Sequence, residues 1–220
     1  MLVYERMTRH PITVTPDVPI DEALRIMRDN KVRRLPVVSK KDKNKLVGIV
    51  SEKDLLYASP SPATSLSIHE IHYLISKITV ADVMTKDVIT VGEFTPLEEA
   101  ARIMADHKIG GLPVVRDGIL VGIITETDLF KIFLELLGAR EEGVRVAMLV
   151  PEQPGILATI THEIAEMGGN IISLGTFLGE DPTNRLITVK VANVEEDKLV
   201  ASLEALGMEI VDARTCQRCY

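Results

Sequence analysis

The chain has 220 residues, a formal net charge of −7 at pH 7 and 46% hydrophobic residues. That length allows one large domain or two small ones, and that apolar content excludes a disordered chain. The acidic balance speaks against nucleic acid as a partner, because such binding relies on clustered Lys and Arg, so any anionic ligand needs local positive charge or helix N-termini.

The two cysteines, Cys216 and Cys219, lie at the extreme C-terminus, so no disulfide framework spans the body. This fits a reducing, cytoplasmic compartment. The opening Met-Leu-Val-Tyr-Glu-Arg carries charge at once and does not read as a signal peptide. No run of about 18 apolar residues is present, so no membrane span is expected.

From Met7 the chain reads β-α-β-β-α. Ile12 to Val14 is a short apolar strand. Pro19 opens a helix, with Ile20, Ala23, Leu24 and Met27 on one face. Leu35-Pro36-Val37-Val38 is a buried strand, and a hairpin with a Lys-rich tip leads to a strand over Leu46 to Val50. A helix begins at Ser51. Ser59-Pro60-Ser61-Pro62 breaks the chain, and a short helix or turn follows around Ile68 to Ile75. His69 and His72 stand three apart, not the four of a His-Glu-x-x-His zinc motif.

The same unit then returns. With Ala23 aligned on Ala100, 17 of 32 positions from Met7 to Val38 are identical. Leu46 to Leu56 matches Leu120 to Phe130 at 7 of 11 positions. The pattern is an internal duplication, and neither unit of roughly 50 residues buries enough surface alone, so the two are expected to pack together. Each copy ends alike, in Gly48-Ile49-Val50-Ser51-Glu52-Lys53-Asp54 and in Gly122-Ile123-Ile124-Thr125-Glu126-Thr127-Asp128.

A different texture starts near Gly143. Val144 to Val150, Asn170 to Leu178, Leu186 to Val191 and Met208 to Ala213 read as strands. Helices run from Pro154-Gly155 to Met167, stopped by Gly168-Gly169, and from Glu195 to Leu206. The order is βαββαβ, a ferredoxin-like layout, so the fold class is α+β.

A hydroxyl and a carboxylate three residues apart, just after a buried strand, suit a site for a sugar diol and a phosphate. Asp54 and Asp128 are the carboxylates of the two motifs, the acceptors that a diol would need. Ser51 and Thr125 stand at helix starts, where backbone N–H groups meet a phosphate. Lys31, Arg33 and Arg34 supply positive charge. The matching positions 110 and 111 are Gly-Gly, so two clefts of unequal anion affinity are expected. The alternative is plain capping, since Ser/Thr-x-x-Asp is close to a capping box. Cys216-Gln217-Arg218-Cys219 supplies two ligands where zinc takes four, so no metal site is expected. No Ser-His-Asp set, Cys-His set or Gly-x-x-x-x-Gly-Lys-[Ser/Thr] loop is present, so no catalytic residue is assigned.

The paired Met-Thr at 7-8 and 84-85, the two Leu-Pro-Val-Val strands and the two acid-ended motifs resemble a tandem pair of CBS domains, a Bateman module. Pro154-Gly155-Ile156-Leu157 and Gly169-Asn170-Ile171 resemble an ACT domain. The module order resembles the acetoin utilization protein B family. These likenesses imply a CBS domain at 1–60, a linker at 61–79, a second CBS domain at 80–137, a linker at 138–143, an ACT-like domain at 144–215 and a tail at 216–220. They imply a regulatory protein rather than an enzyme, with an adenine nucleotide (AMP, ADP, ATP or S-adenosylmethionine) between the CBS domains. Thr13 and Thr90, with Ile12 and Ile89, then border the adenine. They also imply an amino acid at the ACT-like domain, near Pro151 to Leu157, and a homodimer. The rival reading is a structural adaptor without ligand.

Overall fold

The computed structural model describes residues 1–42, 44–58 and 77–217. The chain divides into two compact units, Met1–Leu129 and Phe130–Tyr220.

In the first unit, α1 (Val3–Arg6) and β1 (Thr8–Arg9) precede the first copy proper: α2 (Ile20–Asp29), β2 (Arg34–Val38), β3 (Leu46–Ser51) and α3 (Glu52–Ala58). The second copy has α4 (Val80–Val83), β4 (Val91–Gly92), α5 (Leu97–His107), β5 (Gly111–Arg116) and β6 (Ile119–Thr125), and then α6 (Glu126–Leu136). Helix α2 follows from its spacing. Ile20, Ala23 and Met27 fall on one face and are buried, while Asp21 and Glu22 in its first turn meet the positive end of the helix dipole. The same face of α5 buries Leu97, Ala100 and Met104, so the two methionines are core packing. Leu35, Val37, Val50 and Leu55 complete the first copy's core with Val14 and Val80. Each such side chain contributes about 1.5–3 kcal/mol on burial.

Each copy's opening segment packs on the other copy. Val80 belongs to the second copy by sequence, yet it lies in the first copy's core with Ile78, Val83 and Met84 around it. Val80 N–H donates to Val18 O at 2.8 Å, and Ile49 and Thr85 exchange both backbone hydrogen bonds. Reciprocally, Val3 N–H donates to Thr95 O and Tyr4 N–H to Glu93 O, both at 2.9 Å. Strand β1 pairs with β6, Thr8 opposite Ile123. The first copy therefore keeps a two-stranded sheet, β2-β3, and the second has four strands in the order β1-β6-β5-β4.

Two local expectations need correction. Ile12 to Val14 is not a strand: only Val14 bridges, to Val37. The second copy behaves alike, since its strand β4 covers only Val91–Gly92, the counterparts of Val14 and Thr15, and Pro16, which lacks an N–H, follows directly in the first copy. Ser51 and Thr125 end their strands, and the helices start one residue later at Glu52 and Glu126.

The second unit has β7 (Gly143–Pro151), α7 (Ile156–Glu166), β8 (Asn170–Leu178), β9 (Asn184–Ala192), α8 (Glu196–Ala205) and β10 (Glu209–Cys216). The sheet order is β10-β7-β9-β8, with every pair antiparallel. Alternate residues of β7 and β9, including Val146, Met148, Ile187 and Val189, face a core shared with Ile160, Ile164, Leu199 and Leu203. On β9 the intervening Thr188 and Lys190 are buried as well. Lys190 is 3% exposed, and its Nζ donates to Gly138 O at 2.9 Å. That carbonyl follows the C-terminal end of α6, where positive charge is favoured. Gly168, at φ +76°, closes α7 as its position suggested.

His69, His72, the Ser59–Ser65 breaker and Cys219 lie outside the described residues. Cys216 ends β10, half-buried. No helix among the described residues is long and apolar enough to cross a membrane.

Candidate functional site

The two acid-ended motifs fold alike. Ser51 N–H donates to Asp54 Oδ2 at 2.9 Å and Ser51 Oγ donates to the same oxygen at 2.6 Å. Asp54 N–H returns a bond to Ser51 Oγ at 3.3 Å. Thr125 repeats the arrangement on Asp128 Oδ2, at 2.9 Å from N and 2.8 Å from Oγ1. Both pairs tie a strand end to the first turn of a helix, and the Ser51–Asp54 pair is reciprocal. The four bonds that reach the two carboxylates all fall on Oδ2. Capping leaves Oδ1 of each half-buried carboxylate as an acceptor.

Around Asp54 lies a cleft of about 350 Å³, within the size range of small-molecule sites. The first copy lines it with Arg34, Ile49, Ser51, Lys53 and Asp54. The second lines it with Thr85, Asp87, Val88 and Ile89 and with Lys108 to Gly111. The exchange of opening segments causes this mixture, because the Ile49–Thr85 bridge sets the 85–89 segment beside the Ser51–Asp54 motif.

Of the residues expected at a site, Arg34, Ser51 and Asp54 line this cleft. Thr90 follows the lining residue Ile89 without itself lining it. Thr13, Arg33, Thr125 and Asp128 are elsewhere. The Thr125–Asp128 motif faces the other opening segment, since Thr8 pairs with Ile123 as Thr85 does with Ile49. Lys53, Asp87 and Lys108 went unassigned from sequence. Lys108 had a signal: it aligns with Lys31, and both adopt left-handed backbone at φ 54°, an uncommon conformation for a lysine.

Arg34, Lys53 and Lys108 place three positive groups around the cleft, against Asp54 and Asp87. Burial pushes the Arg34 guanidinium below the ordinary arginine value, and the charge of Arg33 acts in the same direction. Glu126 and Asp54 oppose the shift. A half-buried guanidinium so placed favours an incoming anion. Val88, Ile89 and Ile49 supply an apolar wall. The cleft thus offers a carboxylate acceptor, cationic donors and a surface for a flat apolar ring.

In the second unit a further cleft of about 560 Å³ is lined by Glu152 to Ala158 with Thr176, Arg185 and Ile187. Gly155, at φ +91°, opens α7 there without a side-chain cap, and Arg185 pairs with Glu152. Among the described residues, no group of three or more His, Cys, Asp or Glu is clustered to hold a metal ion.

The CBS domain family model matches residues 3–61 and 80–135. A CBS domain-containing protein of Dictyostelium discoideum is 31% identical over 138 residues, 62% of this chain and 94% of its own length. An inosine-5′-monophosphate dehydrogenase of Korarchaeum cryptofilum is 41% identical over 140 residues, 63% of this chain. The match spans only 25% of that enzyme. Among solved structures, one assigned as an acetoin utilization protein (AcuB) from Vibrio cholerae has a TM-score of 0.52 and 38% identity, covering 64% of this chain and 96% of its own. The CBS domain pair of protein MJ0100, solved in complex with 5′-methylthioadenosine and S-adenosyl-L-methionine, has a TM-score of 0.50 and 31% identity. It covers 60% of this chain and 95% of its own.

Proposed function

Because this chain belongs to the CBS domain family, as a tandem pair, we propose that it is a regulatory protein, not an enzyme, that binds an adenine nucleotide (AMP, ADP, ATP or a related adenosine ligand) in the Asp54 cleft. The observation that carries this reading is the convergence of Asp54, Arg34 and Ile89 on one cleft from both copies. Asp54 Oδ1 accepts from the ribose hydroxyls, Val88 and Ile89 pack on the adenine, and Arg34 with Lys108 neutralises phosphate. Ser51 holds Asp54 in place. Thr125 and Asp128, with Thr13 and Arg33, serve a second motif of the same kind, and Thr90 supports the adenine wall beside Ile89. The adenosine ligands of the MJ0100 pair support the ligand class. Isothermal titration calorimetry against AMP, ADP and ATP tests the proposal: saturable binding of at least one is expected, and no heat with any of them overturns it.

The βαββαβ unit supports an ACT-like domain over residues 144–215, following a CBS pair at 1–137. Its cleft at Glu152 to Ala158 is the place for an amino-acid effector. The likeness to AcuB supports a role in acetoin utilization. Exposed Leu56 and Tyr57 on α3 support a homodimer, which light scattering checks. The cysteine usage supports a cytoplasmic location. One observation favours the rival, a ligand-free adaptor: Asp54 and Asp128 both serve as caps. The same calorimetry separates the two.

A further inference from the structure

Arg34 opens β2, but its side chain leaves its own copy. A Cβ placed on Gly110 would fall against the Arg34 guanidinium, and one on Gly111 would come 3.4 Å from Arg34 Cδ. Gly110 and Gly111 are the second copy's counterparts of Arg33 and Arg34. The duplication has diverged here in a complementary way, one copy supplying a long cation and the other the space to receive it.

The same point in space draws a carboxylate. A Cβ on Gly110 would lie 2.6 Å from Glu126 Oε2, and Glu126 is the strongest charge favouring the ionised Arg34. Glu126 opens α6 and is exposed. Its N–H donates to Gly110 O, which fixes the helix start beside the guanidinium. Arg34 is paired with Ser51 through the β2–β3 ladder, but among the described residues its guanidinium makes no hydrogen bond and no ion pair within 4.0 Å. Glu126 is therefore close enough to hold the charge electrostatically, but it does not satisfy the five donors of the planar guanidinium. A phosphate could take two of them at once in a bidentate pair.

We propose that Arg34 and Glu126 form the cleft's selector for phosphorylated ligand: the Glu126 carboxylate and the ligand's 5′-phosphate compete for one guanidinium. The cleft thereby prefers AMP to uncharged adenosine, and Glu126 sets how strong a phosphate contact is needed to win. This deepens the adenine-nucleotide reading of the Asp54 cleft and rests on it. It also separates this chain from a cleft that accepts methylthioadenosine, which carries no phosphate.

A double-mutant cycle on the full chain tests it, with AMP and adenosine as probes in calorimetric titrations. Arg34→Gln is expected to weaken AMP by about 30-fold, as for loss of a charge-assisted contact, and adenosine far less. Glu126→Gln is expected to tighten AMP by about fivefold, the scale of one modest ion pair, and to lose that effect when Arg34→Gln is already present. Because Glu126 is exposed, its variant reports even if Arg34→Gln disturbs the half-buried site. Equal losses of AMP and adenosine in Arg34→Gln, or a Glu126→Gln effect that persists without Arg34, overturns the competition. Wild-type protein that binds AMP and adenosine equally, with both weakened by Asp54→Ala, overturns the selector but leaves the nucleotide cleft standing. Binding of neither probe overturns both.

Discussion

Met84 lies over Gly48 so closely that a Cβ on the glycine would come 2.6 Å from the methionine Sδ. Met7 stands in the same relation to Gly122, at 2.5 Å. The glycine that begins each acid-ended motif is thus the floor on which the other copy's Met-Thr opening rests. Thr85 O and Thr8 O also come within 3.1 Å of the respective Cβ positions, so neither backbone nor side chain leaves room. Gly48→Ala and Gly122→Ala are each expected to destabilise the first unit by about 1–3 kcal/mol, the usual cost of overpacking. Urea denaturation of each variant measures this, with Gly118→Ala, whose Cβ would meet nothing within 4 Å at its left-handed turn, separating steric from backbone effects.

Capping and ligand binding at Asp54 use different oxygens, so they are separable. Asp54→Ala removes both, and is expected to lower stability by about 1 kcal/mol and nucleotide affinity by about 30-fold. Asp54→Asn keeps an oxygen for the Ser51 N–H but loses the charge that strengthens ribose contacts. It is expected to restore most of the stability while leaving affinity depressed. Thermal melts paired with titrations distinguish the two. An asparagine variant that recovers both would assign Asp54 to capping alone.

Lys190 is nearly fully buried, and its ammonium donates to Gly138 O. Lys190→Met keeps most of the side-chain volume but leaves that carbonyl without its donor, for an expected loss of about 1–3 kcal/mol. Hydrogen exchange of the 137–143 backbone reads the change directly, since these amides should lose protection first.

Acid should loosen both units through named carboxylates. Thr79 N–H and its hydroxyl both donate to Asp82 at 2.8 Å, and these bonds, backbone first, hold Asp82 below the usual carboxylate value. Arg214, and with it Arg145, does the same for Asp212. A depressed folded-state value gives stability that is present above the unfolded value of about 3.9 and lost as pH falls through the folded one. Unfolding midpoints are expected to drop below about pH 4, and less steeply in Asp82→Asn and Asp212→Asn. Asp82 is exposed and Asp212 half-buried, so the change at Asp82 should shrink more in high salt.

Much of the fold was legible because it rests on short-range chemistry. The Ile20, Ala23 and Met27 spacing is enough to define α2, and Gly168 marks the end of α7. The Ser51–Asp54 and Thr125–Asp128 pairs announced both capping and a candidate site, and the structure contains the caps. The expected strand at Ile12 to Val14 failed because three apolar-rich residues do not by themselves make a ladder: only Val14 meets a partner strand, at Val37.

The sequence by itself determined the duplication, the order of helices and strands, the two acid-ended motifs and the change of texture near Gly143. These depend on residues a few positions apart, whose spacing decides helix, strand or cap. Only the tertiary structure decided that the copies exchange their openings, that Asp54 therefore faces Val88 and Ile89 rather than Ile12 and Thr13, that Arg34 reaches Gly110 and Glu126, and that Lys190 is buried. The physical reason is degeneracy. Met7-Thr8 and Met84-Thr85 fit the floor at Gly48 or Gly122 almost equally well on local grounds, so the choice between them is made by the packing of the whole core.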